Sequence, residues 1–200
     1  MTNIFLLYCK ELFTTLLPIL GTGLIVFLLY RLSGLRHHGL HILGMTLFCG
    51  VLALIFDITG MPHYATFRPE INGGFNLIPF AEGTSGLYQY MANAIMFLPV
   101  GFFLPLLWQQ FIRPVYTVGA GFLLSLGIEL IQLFTFRATD IDDLMMNTLG
   151  AILGYLLYRI LRKPLKTLLT PFQVSWSLHP LAGYEYLLCI LLPLALTFLL

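Results

Sequence analysis

Charge is scarce in this chain. Of 200 residues only 10% are Asp, Glu, Lys or Arg, against about a quarter in soluble domains. With 58% hydrophobic residues, the deficit excludes an ordinary water-soluble fold and places the chain in a bilayer. A formal net charge of +1 with neutral histidines supplies no basic face for nucleic acid, and the long apolar runs leave little wet surface to carry one. Cysteine is sparse too: Cys9, Cys49 and Cys189 stand singly in or beside hydrophobic runs. That scatter supports neither a disulfide framework nor a zinc site and fits small buried apolar residues. No GxSxG, CxxC, HExxH or phosphate-cradling glycine loop is present, so no motif places a nucleophile beside a base. His37, His38 and His41 cluster, but no carboxylate or cysteine lies close to them in sequence, which argues against a metal site there.

What is abundant is hydrophobic sequence in long blocks. Taking about 20 apolar residues as one bilayer crossing, the chain offers six candidate spans, near residues 12–30, 39–56, 90–108, 114–134, 144–161 and 184–200. The first lacks a basic n-region and is too long for a signal h-region, so it reads as a retained span. Alternate connections hold Arg31 and Arg36, then Arg113, then Arg159, Arg162, Lys163 and Lys166. By the positive-inside rule these connections face the cytoplasm, and both termini face outward. The longest connection, 57–89, mixes Phe67, Phe75, Leu77, Ile78 and Phe80 with prolines and glycines. Such a segment is expected to lie on the outer interface or to dip between helices, walled by protein. Residues 162–180 are too polar to cross and read as an interfacial segment held by leucines and by attraction to anionic lipid.

The chain is organised around residues 125–154. Gly121, Ser125, Glu129 and Gln132 recur at helical spacing on one face of the fourth span. Asp140, Asp143, Asn147, Gly150 and Gly154 do the same at the start of the fifth. Two such helices can pair and shield their polar groups from lipid, with Gly150 and Gly154 permitting close approach. An ionisable group at membrane depth costs about 2.5 to 3.5 kcal/mol on insertion scales, so Glu129 needs a partner or a wet cavity. Five residues before Phe134, it sits roughly 7 to 8 Å below the end of its helix, and Asn147 lies at a similar depth on the next. Asp140, Asp142 and Asp143 suit a helix amino terminus, where capping alone could account for them. Glu129 and Gln132 are not needed for a cap, and this tips the group toward a functional pocket. Arg137 could pair with Glu129 or Asp143, and one guanidinium cannot neutralise four carboxylates. Arg68, a cation or a cationic ligand group would close the balance. Asn93, near the outer end of the third span, could reach Glu129 or Asn147.

Three segments carry a resemblance: FNLIPF at 75–80, NAIMFLPVGFFLP at 93–105, and IELIQLFTFRATDIDDLMMNTLGAILGY at 128–155. In order and spacing they resemble the VanZ-like membrane family, over roughly the middle half of the chain. The founding member of that family is associated with resistance to the glycopeptide teicoplanin in Gram-positive bacteria, without an established molecular mechanism. The resemblance implies interest in Asn76, Pro79, Phe80, Asn93, Pro99, Gly101, Glu129, Gln132, Arg137, Asp140, Asp143, Asn147 and Gly150.

The sequence thus predicts an all-α polytopic transmembrane bundle of about six spans in the bacterial cell membrane. Its parts are an extra amino-terminal helix and loop at 1–38, a VanZ-like domain at 39–161, and an interfacial segment with a carboxy-terminal helix at 162–200. The expected activity is binding of an amphiphile, whether a lipid headgroup, a cell-wall lipid intermediate or a lipoglycopeptide, in an outward polar pocket. Its candidate residues are Asn76, Phe80, Arg68, Asn93, Glu129, Gln132, Arg137, Asp140, Asp143 and Asn147. The alternatives are an outer-leaflet enzyme using a divalent cation and a small transporter. No resident cofactor is expected, and membrane lipids are the expected partners.

Overall fold

The computed structural model describes residues 16–17, 20–28, 39–61, 67, 70, 74–135, 138–174 and 185–199. Four helices are long and apolar enough to cross a membrane. They are α1 (Gly39–Ile58), α2 (Leu87–Leu107), α3 (Pro114–Gln132) and α4 (Ile141–Arg162). A fifth apolar helix, α5 (Glu185–Leu199), has 15 residues, short of the length for a perpendicular crossing. Of the first expected span, residues 16–17 and 20–28 are described, and they are helical. An all-helical membrane bundle is therefore what forms, and four helices among the described residues have sufficient length to span.

Two helices begin earlier than their apolar runs. At α4 the reason is a cap: Asp140 Oδ1 accepts from the Asp142 backbone N–H at 2.9 Å, and Asp142 and Asp143 occupy the positive end of the helix dipole. The acids that bound the apolar run are thus part of the helix. At α2 a 3₁₀ turn over Gly83–Gly86 leads directly into Leu87. Pro114 opens α3, where a missing N–H costs nothing.

Large side chains from α1 and α2, among them Phe48, Phe56, Phe97, Leu104 and Leu107, fill the core with Trp108 and with Ile128 of α3. The most intimate contact is between α2 and α4, and it depends on glycine. A methyl group added at Gly154 would stand 1.9 Å from the Leu98 carbonyl oxygen, and one at Gly150 would stand 2.2 Å from that of Ala94. On the other side, one at Gly101 would lie 2.0 Å from the Ala151 carbonyl oxygen. Backbone meets backbone, so no larger residue can be accommodated by a rotamer change. The glycines of α4 thus face α2, while Ala151 meets Gly121 of α3.

Charge divides sharply between the two ends of the bundle. Every described lysine and arginine, namely Arg113, Arg159, Arg162, Lys163 and Lys166, lies where α2 and α4 end and α3 begins. Every described carboxylate except Glu185 lies at or near the other end. Glu185 enters the basic end in a buried cluster: its Oε2 accepts from Trp108 Nε1 at 3.2 Å and meets His41 Nε2 at 3.2 Å. His41 Nδ1 lies 2.6 Å from the Phe172 carbonyl, which can only accept, so that nitrogen carries the hydrogen. His41 is thus committed to Phe172 and Glu185 and fastens α5 to α1; His37 and His38 lie outside the described residues.

Candidate functional site

The acidic end is built from three chain segments held by one short ladder. Strands β1 (Phe75–Asn76) and β2 (Thr139–Asp140) pair in parallel, Phe75 opposite Thr139 and Asn76 opposite Asp140. Thr139 N–H donates to the Gly74 carbonyl at 2.9 Å. This sets the FNLIPF segment beside the amino terminus of α4.

Glu129 lies one turn before the end of α3 and is 3% exposed. Its Oε2 accepts from the Asp140 backbone N–H at 2.9 Å, and its own carbonyl accepts from Thr139 Oγ1 at 3.0 Å. Asp140 therefore does two jobs, capping α4 through Oδ1 and accepting from Asn76 Nδ2 at 3.0 Å through Oδ2. Asp143 accepts from Asn93 Nδ2 and, at 3.2 Å, from Gln89 Nε2. A turn deeper, Asn147 Nδ2 donates to Ser125 Oγ at 3.0 Å. Gln132 Nε2 donates to the Thr59 carbonyl at 2.8 Å and ties α3 to the end of α1.

The expected stripe on α3 is the buried one: Gly121, Ser125, Glu129 and Gln132 all face inward. Glu129, Asp140 and Asn76 come together, as do Asp143 and Asn93, while Asn147 sits below with Ser125. Asn93 meets Asp143 rather than Glu129 or Asn147, because α2 packs against α4 along its glycine face. Arg68 and Arg137 lie outside the described residues. Glu129 and Asp143 engage further groups besides these partners.

Asp142 is the member that spacing alone does not single out as part of the site. At 1% exposed it is the most buried carboxylate of the cluster, and both its oxygens face the Phe80 backbone N–H, at 2.8 and 3.0 Å. Phe80 adopts a positive φ of 55°, uncommon for a bulky residue. The anchored turn leaves the side chains of Phe75, Leu77, Ile78 and Phe80 exposed. Gln89, Ser125, Thr59 and Thr139 complete the network.

Beside this cluster run two apolar clefts. One, of about 290 Å³, is bounded by Phe56, Met61, Ile128, Ile131, Ile190 and Leu194. The other, of about 420 Å³, is bounded by Met61, Phe67, Ile131, Leu191 and Phe198. The same turn of α3 serves both environments, with Glu129 and Gln132 on the polar network and Ile128 and Ile131 on the clefts. Among the described residues no three His, Cys, Asp or Glu side chains are arranged to hold a metal ion. Each carboxylate instead meets N–H donors, an arrangement suited to positioning backbone and amide groups.

The motifs agree with comparisons against known proteins. The chain is 36% identical over 89 residues to Protein VanZ from Enterococcus faecium, a match covering 44% of this chain and 54% of that protein. It thus spans about half the length of the curated relative it matches. No solved structure matches it. The family model for VanZ/LLP1 matches residues 43–162, from α1 to the end of α4 and through every described residue of the acidic network. With that match covering its site and nearly all of its four membrane-length helices, the chain belongs to the VanZ/LLP1 family.

Proposed function

We propose that this protein holds an amphiphile at the acidic end of its bundle and that such binding affects susceptibility to glycopeptides. The polar part of the ligand meets Glu129, Asp140, Asp142, Asp143 and their amide partners. The hydrocarbon part follows the apolar clefts along α3. One observation carries this reading: a single turn of α3 presents Glu129 and Gln132 to a buried hydrogen-bond network and Ile128 and Ile131 to an apolar cleft. A ligand that is polar at one end and apolar at the other satisfies both, whereas a small polar solute leaves the clefts unexplained.

The ligand classes that fit are a lipid headgroup, a lipid-linked cell-wall intermediate and a lipoglycopeptide. Concentrated carboxylates favour amine-bearing or hydroxyl-rich headgroups over phosphate alone. In this reading the acidic end faces outward in the bacterial cytoplasmic membrane, because the basic end carries the Lys and Arg excess of cytoplasmic loops.

Binding of a fluorescent lipoglycopeptide and of labelled aminolipids to the protein in nanodiscs tests it. Asp143→Asn and Ile131→Ser, which alter the polar and apolar parts separately, are expected to weaken binding several-fold each. Unchanged affinity in both would remove the proposal.

A further inference from the structure

A further cavity lies at the basic end, the far end of the bundle from the acidic network and independent of the function proposed there. Its volume is about 550 Å³, and its walls include Tyr158, Arg159, Arg162, Lys163, Lys166 and Gln173. It forms where α4 ends and the chain folds back: a helical turn at Lys166–Leu169 and a 3₁₀ turn at Thr170–Phe172 return residue 173 to the bundle. There Gln173 Nε2 donates to the Pro105 carbonyl at 2.9 Å, and Val174 N–H donates to the Leu107 carbonyl at 2.9 Å. The return is therefore anchored on α2, and the cavity is part of the fold rather than a gap beside a loose strand.

Four cations border this one space. Among the described residues, none of Arg159, Arg162, Lys163 and Lys166 pairs with a carboxylate. Arg159 is oriented by its bond to the Tyr155 hydroxyl at 3.0 Å and lies 5.9 Å from that ring. The carboxy-terminal dipole of α4 contributes only about half a negative charge, too little to offset four cations. At the buried wall the Tyr158 hydroxyl accepts from Gln173 at 3.4 Å, which leaves its own hydrogen to donate. Arginine forks, lysine ammonium groups and a hydroxyl donor make a set that matches the oxygens of a phosphate group. Leu169 adds an apolar wall to the cavity, and Leu168, next to it in the chain, is exposed.

We propose that this basic cavity binds a phosphate-bearing group, namely the phosphate of an anionic phospholipid headgroup. Two observations favour a lipid source over free phosphate. The cavity has an apolar wall at Leu169, and its volume of about 550 Å³ exceeds what a lone inorganic anion fills.

The test uses the full chain in detergent, with fluorescent phosphatidylglycerol as probe and phosphatidylcholine and inorganic phosphate as competitors. The expected result is retention of phosphatidylglycerol against excess phosphatidylcholine. Binding should fall about 30-fold in the Arg162→Gln/Lys166→Gln variant, at about 1 kcal/mol for each cation near an anionic surface. Arg113→Gln, which removes one cation from the same end but outside the cavity, should leave binding unchanged. Displacement by millimolar inorganic phosphate would assign the site to free phosphate and overturn the lipid source; resistance to it supports that source. Equal retention of the two lipids, or a loss in Arg113→Gln matching that in the double variant, would overturn the site itself. Lys166→Gln alone, at an exposed position, replaces the double variant if that does not fold. Its expected loss is about fivefold, and unchanged binding would overturn the site.

Discussion

Removing the Asp142 carboxylate should loosen the FNLIPF segment from the bundle by an amount that the geometry bounds. Asp142→Ala removes a charge-assisted hydrogen bond to the Phe80 N–H, worth about 1.5 to 3 kcal/mol. It also removes a negative charge from the amino terminus of α4, worth about 0.3 to 1 kcal/mol. The Phe80–Asp142 contact is only part-buried, which sets the total near the lower part of the range, about 2 to 3 kcal/mol. Asp142→Asn keeps one oxygen acceptor and loses only the charge, for about 1 kcal/mol. At about 2 to 4 °C per kcal/mol for a chain of this size, the alanine variant should melt about 4 to 12 °C lower and the asparagine variant about 2 to 4 °C lower. Circular dichroism in detergent measures the melting, and protease sensitivity within residues 74–80 reports whether the loss is local. Glu82→Gln, an exposed acid on the same connection, serves as the control. Equal effects of alanine and asparagine, or of Glu82→Gln and Asp142→Ala, would refute the Asp142–Phe80 anchor.

Other positions give sharper contrasts. Gly154→Ala should cost more than about 2 kcal/mol, since the added methyl meets the Leu98 backbone. Gly119→Ala, with nothing within 4 Å, should stabilise α3 by about 0.5 to 1 kcal/mol; melting midpoints of the pair check both. Ser125→Ala should cost about 1 to 2 kcal/mol by stranding Asn147, whose Oδ1 already has no hydrogen-bond partner among the described residues. Joining it with Asn147→Leu should recover most of that loss, as a double-mutant cycle would show. Glu185→Ala should cost about 3 to 5 kcal/mol, because it strips the buried Trp108 N–H of its acceptor and His41 Nε2 of its neighbour. Trp108→Phe, which removes one donor and keeps the aromatic wall, should cost less in the same melts.

Helical periodicity made half of the site legible in the sequence. Gly121, Ser125, Glu129 and Gln132 had to share a face once α3 was a helix, and in an apolar chain that face had to turn inward. The same logic identified Gly150 and Gly154 as packing residues, but it could not say that they meet α2 rather than α3. Spacing within one helix carries no information about which neighbour it faces. Asp142 was visible only as one acid in a capping group, because its partner is a backbone N–H of a loop far upstream. Phe80 stood out only through the family motif. The pairing of His41 with Glu185 was hidden by the chain length between them, and a histidine cluster at 37–41 gave no hint of a carboxylate arriving from α5.

The two-residue parallel ladder has a consequence out of proportion to its size. It couples the 74–80 turn to the cap of α4, so neither can swing aside without the other. The Asp142 contact to Phe80 and the Asp140 contact to Asn76 must then be released together, as one cooperative unlatching. Any visitor to Glu129 therefore either arrives from the flank of the bundle, through the clefts, or waits for that whole buckle to open.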